Sequence, residues 1–363
     1  MKIGIVGAAG RGKNFKAACE ACDDVKIHAV CDINEKKIAE AKKNLGASEQ
    51  YTDYYEMLEK SDIQAVVIGT PMHFHAEQSI AALEKDIHVL CEVTAGTSVE
   101  ECKAIVSAAK ASKAIYMMAE NYCYMKNTAT LKNLAAKGFL GEIFYAEGEY
   151  IHDCTSLADN ETPWRRHWQM GIDGITYCTH SLGPILQCMK DDRVERVCCE
   201  AAGKHRKDKN GKYFHRHCPT MLCKTEKGAL IKIRVDITSR VPHNMTYYRL
   251  QGTEGAFDDG KIWFRDLSEK VQWHDFEKIT KIDAAAAKYV PAEWKNPPEK
   301  AREAGHGGGD YFEILDFINA VKGEIPCPIG VHEAMDMTLP GLISQQSIKE
   351  DGRWIEVPDS RDW

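Results

Sequence analysis

KIGIVGAAGRGK, residues 2–13, decides how the first part of this chain folds. Ile3 to Val6 read as a short buried strand, and Gly7, Gly10 and Gly12 break it at once. The next stretch, KNFKAACEAC at 13–22, repeats its apolar residues at helical spacing. In a strand, glycine turn and helix taken in that order, small residues let the backbone approach a pyrophosphate whose charge is met by the helix N–H groups. The spacing is G-x-x-G-x-G instead of the usual G-x-G-x-x-G, so the turn takes its meaning from Asp32. That acid ends the second predicted strand about 20 residues on, where a carboxylate accepts hydrogen bonds from the adenosine ribose hydroxyls. A carboxylate there repels a 2′-phosphate, and Ile33-Asn34 brings no arginine to receive one, so NAD is the expected cofactor. Gly7, Ala9, Gly10, Arg11, Gly12 and Asp32 are its candidate contacts.

Outward from this turn, apolar runs at 27–30, 65–68, 88–90 and 115–118 alternate with helical patterns such as 34–46 and 98–112. That is the signature of an α/β doubly wound parallel sheet, a Rossmann domain over residues 1–122. The run at 65–68 leads into Gly69-Thr70-Pro71, and the run at 88 delivers Glu92, both at the carboxyl edge where ligands sit. Thr70 and Pro71 are placed against the nicotinamide ribose and Glu92 towards the nicotinamide. His75 joins this set, although a histidine opening a helix is more often a cap or packing residue.

Residues 123–363 change pattern and predict an α+β domain built on a large, mostly antiparallel sheet, with C-terminal helices returning to the first domain. GEIFYAEGEYIHD (141–153) reads as a strand, MLCKTEKGALIKIRVDI (221–237) as a hairpin turning at 226–228, and YYRLQGTEGAFDDGKIWF (247–264) as further strands. The polar GKHRKDKNGKYFHRHC (203–218) reads as an exposed loop or hairpin tip. In GHGGGDYFEILDFINAV (305–321), glycines precede a helix, with His306 on the loop and Asp310 as the expected N-cap.

A formal net charge of -7 argues against nucleic acid or an anionic membrane as the main partner, and so favours a small molecule. With a strand starting at residue 2 and no run of about 18 apolar residues, neither a signal peptide nor a membrane span is expected, and the cytoplasm is the predicted compartment. Fourteen cysteines fit that compartment as free thiols. Cys19 and Cys22 share the inner face of a helix and are expected to pack in the core, so no metal site is predicted.

The glycine turn with Asp32, GTPMHFHAEQSIAALEKDIHVLCE (69–92), GFLGEI (138–143) and QGTEGAF (251–257) together resemble the Gfo/Idh/MocA family of NAD(P)-dependent oxidoreductases. Sugar dehydrogenases of that family carry a lysine after the glutamate that assists proton removal, and here Val93 stands in its place. CEVTAGTSVEEC, ENYCY, GEIFYAEGEYIHD and YCTHSLGPI are similar to the NAD-dependent glycoside hydrolases within the family, the group that includes N-acetylgalactosaminidases. That resemblance implies Tyr150, His180, Glu120 and Tyr177 as catalytic residues. It also implies a tyrosine before the GTEG turn, either Tyr247 or Tyr248, on the carbohydrate substrate. His152, Trp164 and Arg165 are candidate sugar contacts, and a homodimer or homotetramer is expected. A dehydrogenase that releases NADH and a non-catalytic NAD sensor are the competing expectations.

Overall fold

Six short strands of the N-terminal part pair in parallel: β1 (Lys2–Val6), β2 (Lys26–Cys31), β3 (Glu49–Tyr51), β4 (Ala65–Ile68), β5 (His88–Glu92) and β6 (Tyr116–Ala119). Their order, β3-β2-β1-β4-β5-β6, is the expected doubly wound arrangement. The runs are apolar without alternation because both sheet faces are covered, and Ile3, Ile5, Val66, Val67 and Leu90 are completely buried. The strand order reverses beside β1, which makes the carboxyl ends of β1 and β4 the natural ligand crevice. β3 was not foreseen, since Glu49-Gln-Tyr51 offers three residues and no apolar run.

The computed structural model describes residues 1–281 and 288–363. They divide into two units, Met1–Tyr124 with Pro298–Met335 and Ser360–Trp363, and Met125–Pro297 with Asp336–Asp359. In the first unit the expected helix from residue 13 starts as a tight 3-10 turn, Arg11–Phe15, and becomes an α-helix only over Lys16–Ala21. Gly12 N–H is tied back to the Gly7 carbonyl at 3.0 Å, which holds the entry of the helix close to β1. Cys19 and Cys22 are core residues, and burial pushes their thiols up to about 12 and about 11.

The second unit is organised by a nine-stranded sheet made of β7 (Ile143–Ile151), β8 (Val194–Glu200), β9 (Thr220–Thr225), β10 (Leu230–Asp236), β11 (Asn244–Gly252), β12 (Gly255–Asp258), β13 (Lys261–Phe264), β14 (His274–Asp275) and β15 (Ile355–Glu356). The order is β14-β13-β12-β11-β7-β10-β9-β8-β15, antiparallel throughout except for the β7–β10 pair. Side chains alternate along β7. Glu147 and Glu149 point to one face, where Glu149 meets Arg234 at 2.5 Å and Glu147 pairs with Lys232 and Arg249.

Gly148 and Tyr150 point to the other face, against the helix Thr179–Cys188. A Cβ at Gly148 would stand 2.4 Å from the Ser181 carbonyl oxygen, so glycine is what lets that helix descend onto the strand. This descent delivers His180 to Tyr150.

The polar segment at 203–218 is exposed over Gly203–His205 and at its tip, a turn closed by the Lys207–Tyr213 bridge. His215 and His217 at its base are buried, against expectation, and burial pushes His215 down to about 4. Among the described residues no helix is long and apolar enough to cross a membrane.

Candidate active site

In the first unit, the turn after β1 is knotted to β2: Gly7 and Ala8 both donate to the Cys31 carbonyl, at 2.9 and 3.2 Å, and Gly10 donates to Gly7. Gly7 has φ +73°, and its missing Cβ leaves the turn against the Gly69 backbone at the end of β4. Asp32 is fixed at the tip of β2, where its carboxylate accepts Ala9 N–H at 2.8 Å and Asn34 N–H at 2.9 Å. Arg11 reaches across 81 residues of sequence to Glu92, with Nε 2.6 Å from Oε1, and its guanidinium lies over Phe15. The five turn residues, Asp32 and Glu92 thus converge on one sheet edge.

His75 has a different part from the one expected. Its Nδ1 lies 2.7 Å from the Thr94 carbonyl and its Nε2 2.9 Å from the Thr70 carbonyl, which leaves neither ring nitrogen for a ligand. Carbonyl oxygens only accept, so the ring satisfies both by carrying two protons. Burial opposes that charge, but Cys91 and then the Thr94 and Thr70 carbonyls favour it, and the ring is pushed up to about 9. His75 is therefore a clamp between the segments after β4 and β5, while Thr70 donates its hydroxyl to Gln78 and Pro71 opens the turn Met72–Phe74.

A group whose folded pKa is raised contributes stability that is complete below its unfolded value near 6.5 and lost as pH rises through about 9. The contribution is about 3 kcal/mol. His75→Gln is expected to lower the melting temperature at pH 6 and to flatten its decline between pH 6.5 and 9; melting curves across that range check it. An unchanged alkaline slope would rule out the charged clamp.

Glu120, just beyond β6, is fully buried and accepts Tyr122 N–H at 3.2 Å. Beside it, Asn121 Nδ2 lies 3.2 Å from Nδ1 of His306, whose N–H donates to Asp310 at 2.8 Å. His306 adopts φ +54°, a conformation uncommon for a residue with a side chain, and one associated with functional positions. Asp310 is not the helix N-cap; Gly308 is, and Asp310 sits buried in the first turn of Gly309–Val321 as the partner of His306. One turn on, burial, then Asp310 and Glu92, push the Glu313 carboxyl well up, with Arg11 opposing. The acids Glu92, Glu120, Asp310 and Glu313 therefore share a neighbourhood with one arginine.

In the second unit, Tyr150 lies 7% exposed among aromatic rings, with His180 at 5.4 Å, Tyr177 at 5.7 Å and His152 at 5.7 Å between centroids. Tyr177 Oη is 3.1 Å from His180 Nε2, and Tyr150 Oη is 2.9 Å from His152 Nδ1. Tyr177 lies in the turn before the helix and His180 in its first turn, and the Oη–Nε2 contact brings the two side chains together. Burial, then His243 and Arg165, push His152 down to about 4, so its ring is neutral in the physiological range.

His243 was missed from the sequence because it lies in the irregular segment before β11, where no periodicity marks it. The choice between the two tyrosines resolves by register: Tyr248 pairs with Gly148 and shares its face, while Tyr247 points to Asp258 on the other. Tyr248 does not reach for a sugar, however, since its buried hydroxyl donates to the His180 carbonyl at 2.5 Å and so anchors that helix. Trp164 lies under the Arg165 guanidinium at 4.6 Å, and Arg165 is braced by Thr162 and Gln169. Among the described residues no group of three candidate ligands is placed to hold a metal.

A glycine-turn Rossmann sheet joined to a mostly antiparallel second sheet is the architecture of Gfo/Idh/MocA oxidoreductases. Residues 1–120 match the profile described as oxidoreductase family, NAD-binding Rossmann fold, and residues 124–362 match glycosyl hydrolase 109, C-terminal domain. The chain belongs to glycosyl hydrolase family 109, and its first unit is an NAD-binding domain. Family 109 proteins of Saccharopolyspora erythraea and Solibacter usitatus are 26% and 27% identical to it, each over 99% of this chain and over 83% and 88% of their own lengths. Among solved structures, levoglucosan dehydrogenase in complex with NADH and L-sorbose superposes with a TM-score of 0.82 at 20% identity, covering 99% of this chain and 100% of that one. The WlbA dehydrogenase of Bordetella pertussis, in complex with NADH and UDP-GlcNAcA, gives 0.77 at 19%, covering 99% and 98%. At such identities the structural likeness is one of fold.

Proposed function

We propose that this protein is an NAD-dependent glycosidase that cleaves its sugar through transient oxidation at C3. The observation that carries the reading is the Tyr150–Tyr177–His180 cluster, together with Val93 where dehydrogenases of the wider family place their lysine. Bound NAD supplies the hydride acceptor at C3 and returns the hydride at the end of the cycle. The Gly7 cradle, which a Cβ would fill, and the fixed carboxylate of Asp32 suit the pyrophosphate and adenosine ribose of that cofactor.

His180 takes the proton of the C3 hydroxyl, and Tyr177, bonded to its Nε2, sets the ring's tautomer. Tyr150 removes the C2 proton, which the C3 ketone has made acidic, and the substituent at C1 leaves. Water then adds at C1, and Tyr150 returns the proton to C2. Arg165 and Trp164 contribute a charged and an aromatic wall for the ring.

The dehydrogenase names of the structural neighbours favour one other reading, net oxidation of a sugar with release of NADH. A panel of nitrophenyl glycosides, read for both phenol and NADH absorbance, separates the two. Many turnovers of phenol without net NADH are expected. NADH accumulating with a keto-sugar and no phenol would leave a dehydrogenase.

A further inference from the structure

Tyr150 is closed off from solvent, whereas His243 is exposed, and His152 stands half-buried between them. His152 Nδ1 is 2.9 Å from the Tyr150 hydroxyl, and its ring centroid lies 4.6 Å from that of His243, edge to face. A phenol that is to accept a proton from carbon must first give up its own. Enclosed as it is, Tyr150 needs a route by which that proton leaves.

We propose, resting on the reading above, that His152 and His243 form the proton path between Tyr150 and solvent. The Tyr150 O–H proton passes to Nδ1 of His152 as the Nε2 proton of the same ring passes to His243 or to water beside it. One O–H bond and one N–H bond break and one N–H bond forms on His152, so the ring stays neutral and one proton leaves the site. The Tyr150 phenolate then takes the C2 hydrogen as a proton. The C–H electron pair becomes the C1–C2 double bond, and the C1 substituent leaves with its own pair. After water adds, the same steps in reverse restore the proton to C2.

The surroundings make His152 a relay and not a store. Burial works against a cationic ring, and so do His243 from the segment before β11, Arg165 from the helix Arg165–Trp168, and His180. Asp153 favours the cation, but it is engaged by Thr155 at 2.6 Å and by Arg206 at 3.0 Å. A ring that resists a second proton passes protons on.

The test is cleavage of a nitrophenyl glycoside in heavy water, with the C2 position of the released sugar read by NMR. Wild-type protein is expected to place deuterium at C2 in nearly every product molecule. His152→Phe is expected to slow turnover roughly ten- to hundred-fold. Deuterium at C2 should fall to a minority of the product, and in His152→Ala, whose truncation leaves room for the ring, added imidazole should restore both. His243→Asn, at the surface, should give a smaller loss in the same direction, and it carries the test if His152→Phe does not fold.

Wild-type product that keeps its C2 hydrogen overturns the path while leaving the glycosidase reading intact. So does a loss of turnover in the variants with unchanged exchange and no imidazole rescue. NADH accumulation with neither cleavage nor C2 exchange overturns the glycosidase reading itself, and the path with it.

Discussion

Tyr150→Phe is expected to reduce glycoside turnover by roughly 10²- to 10⁴-fold, the range for removal of a positioned acid–base group. The ring itself is retained, so its contacts with His180 and Tyr177 at 5.4 and 5.7 Å should persist and the melting temperature should change little. NAD binding should be unaffected, because every cofactor contact assigned here lies in the other unit. The informative measurement is deuterium uptake at C2 of a substrate analogue already oxidised at C3, which bypasses the hydride step. Uptake should vanish in the variant. If Tyr150→Phe still exchanges C2 at the wild-type rate, the base is another group.

Gly7→Ala should abolish NAD binding and destabilise the first unit. The added Cβ would stand 2.5 Å from the Gly69 carbonyl oxygen and 2.8 Å from its carbon, both backbone atoms. With φ at +73°, the backbone conformation itself disfavours a side chain. Left-handed backbone costs about 1–2 kcal/mol and overpacking about 1–3 more, a loss of roughly 2–5 kcal/mol in all. That corresponds to a melting temperature lower by on the order of 10 °C. Gly10→Ala is the control: its nearest neighbour would be the Gly7 oxygen at 3.6 Å, an ordinary contact, so the fold should be kept. Equal destabilisation by both substitutions would mean that the close packing of β1 against β4 is not what makes Gly7 necessary.

The turn, Asp32 and the parallel sheet were legible in the sequence because each has its own periodicity or spacing. Tyr177 and His180 were singled out instead by their Tyr-x-Thr-His motif, through the resemblance and not through periodicity, since Tyr177 precedes the helix Thr179–Cys188. What stayed hidden was set by register and by packing across long sequence separations. Tyr247 and Tyr248 are adjacent and point to opposite faces, and only the pairing of Tyr248 with Gly148 decides between them. His243 sits beside His152 because Asn244 pairs with Ile151, a register no local pattern announces. His75 was visible as a residue and not as a clamp, since its partners are backbone carbonyls that every sequence possesses. His306 and Asp310 were visible as a loop and a cap, and only the left-handed backbone at His306 brings them together.

The first unit is discontinuous: after Tyr124 it resumes only at Pro298, with the segment that carries His306, Asp310 and Glu313. On the ribosome, the glycine turn and Asp32 therefore emerge long before the residues that finish their own unit, and the whole sheet of the second unit up to β14 is synthesised in between. Domains that are continuous in sequence can fold in order as they appear. This one cannot. A nascent chain cut after residue 297 would keep the dinucleotide turn yet lack the helix Gly309–Val321, and it would also lack the Asp336–Asp359 segment of the second unit, so neither unit is complete until nearly the whole chain has been made.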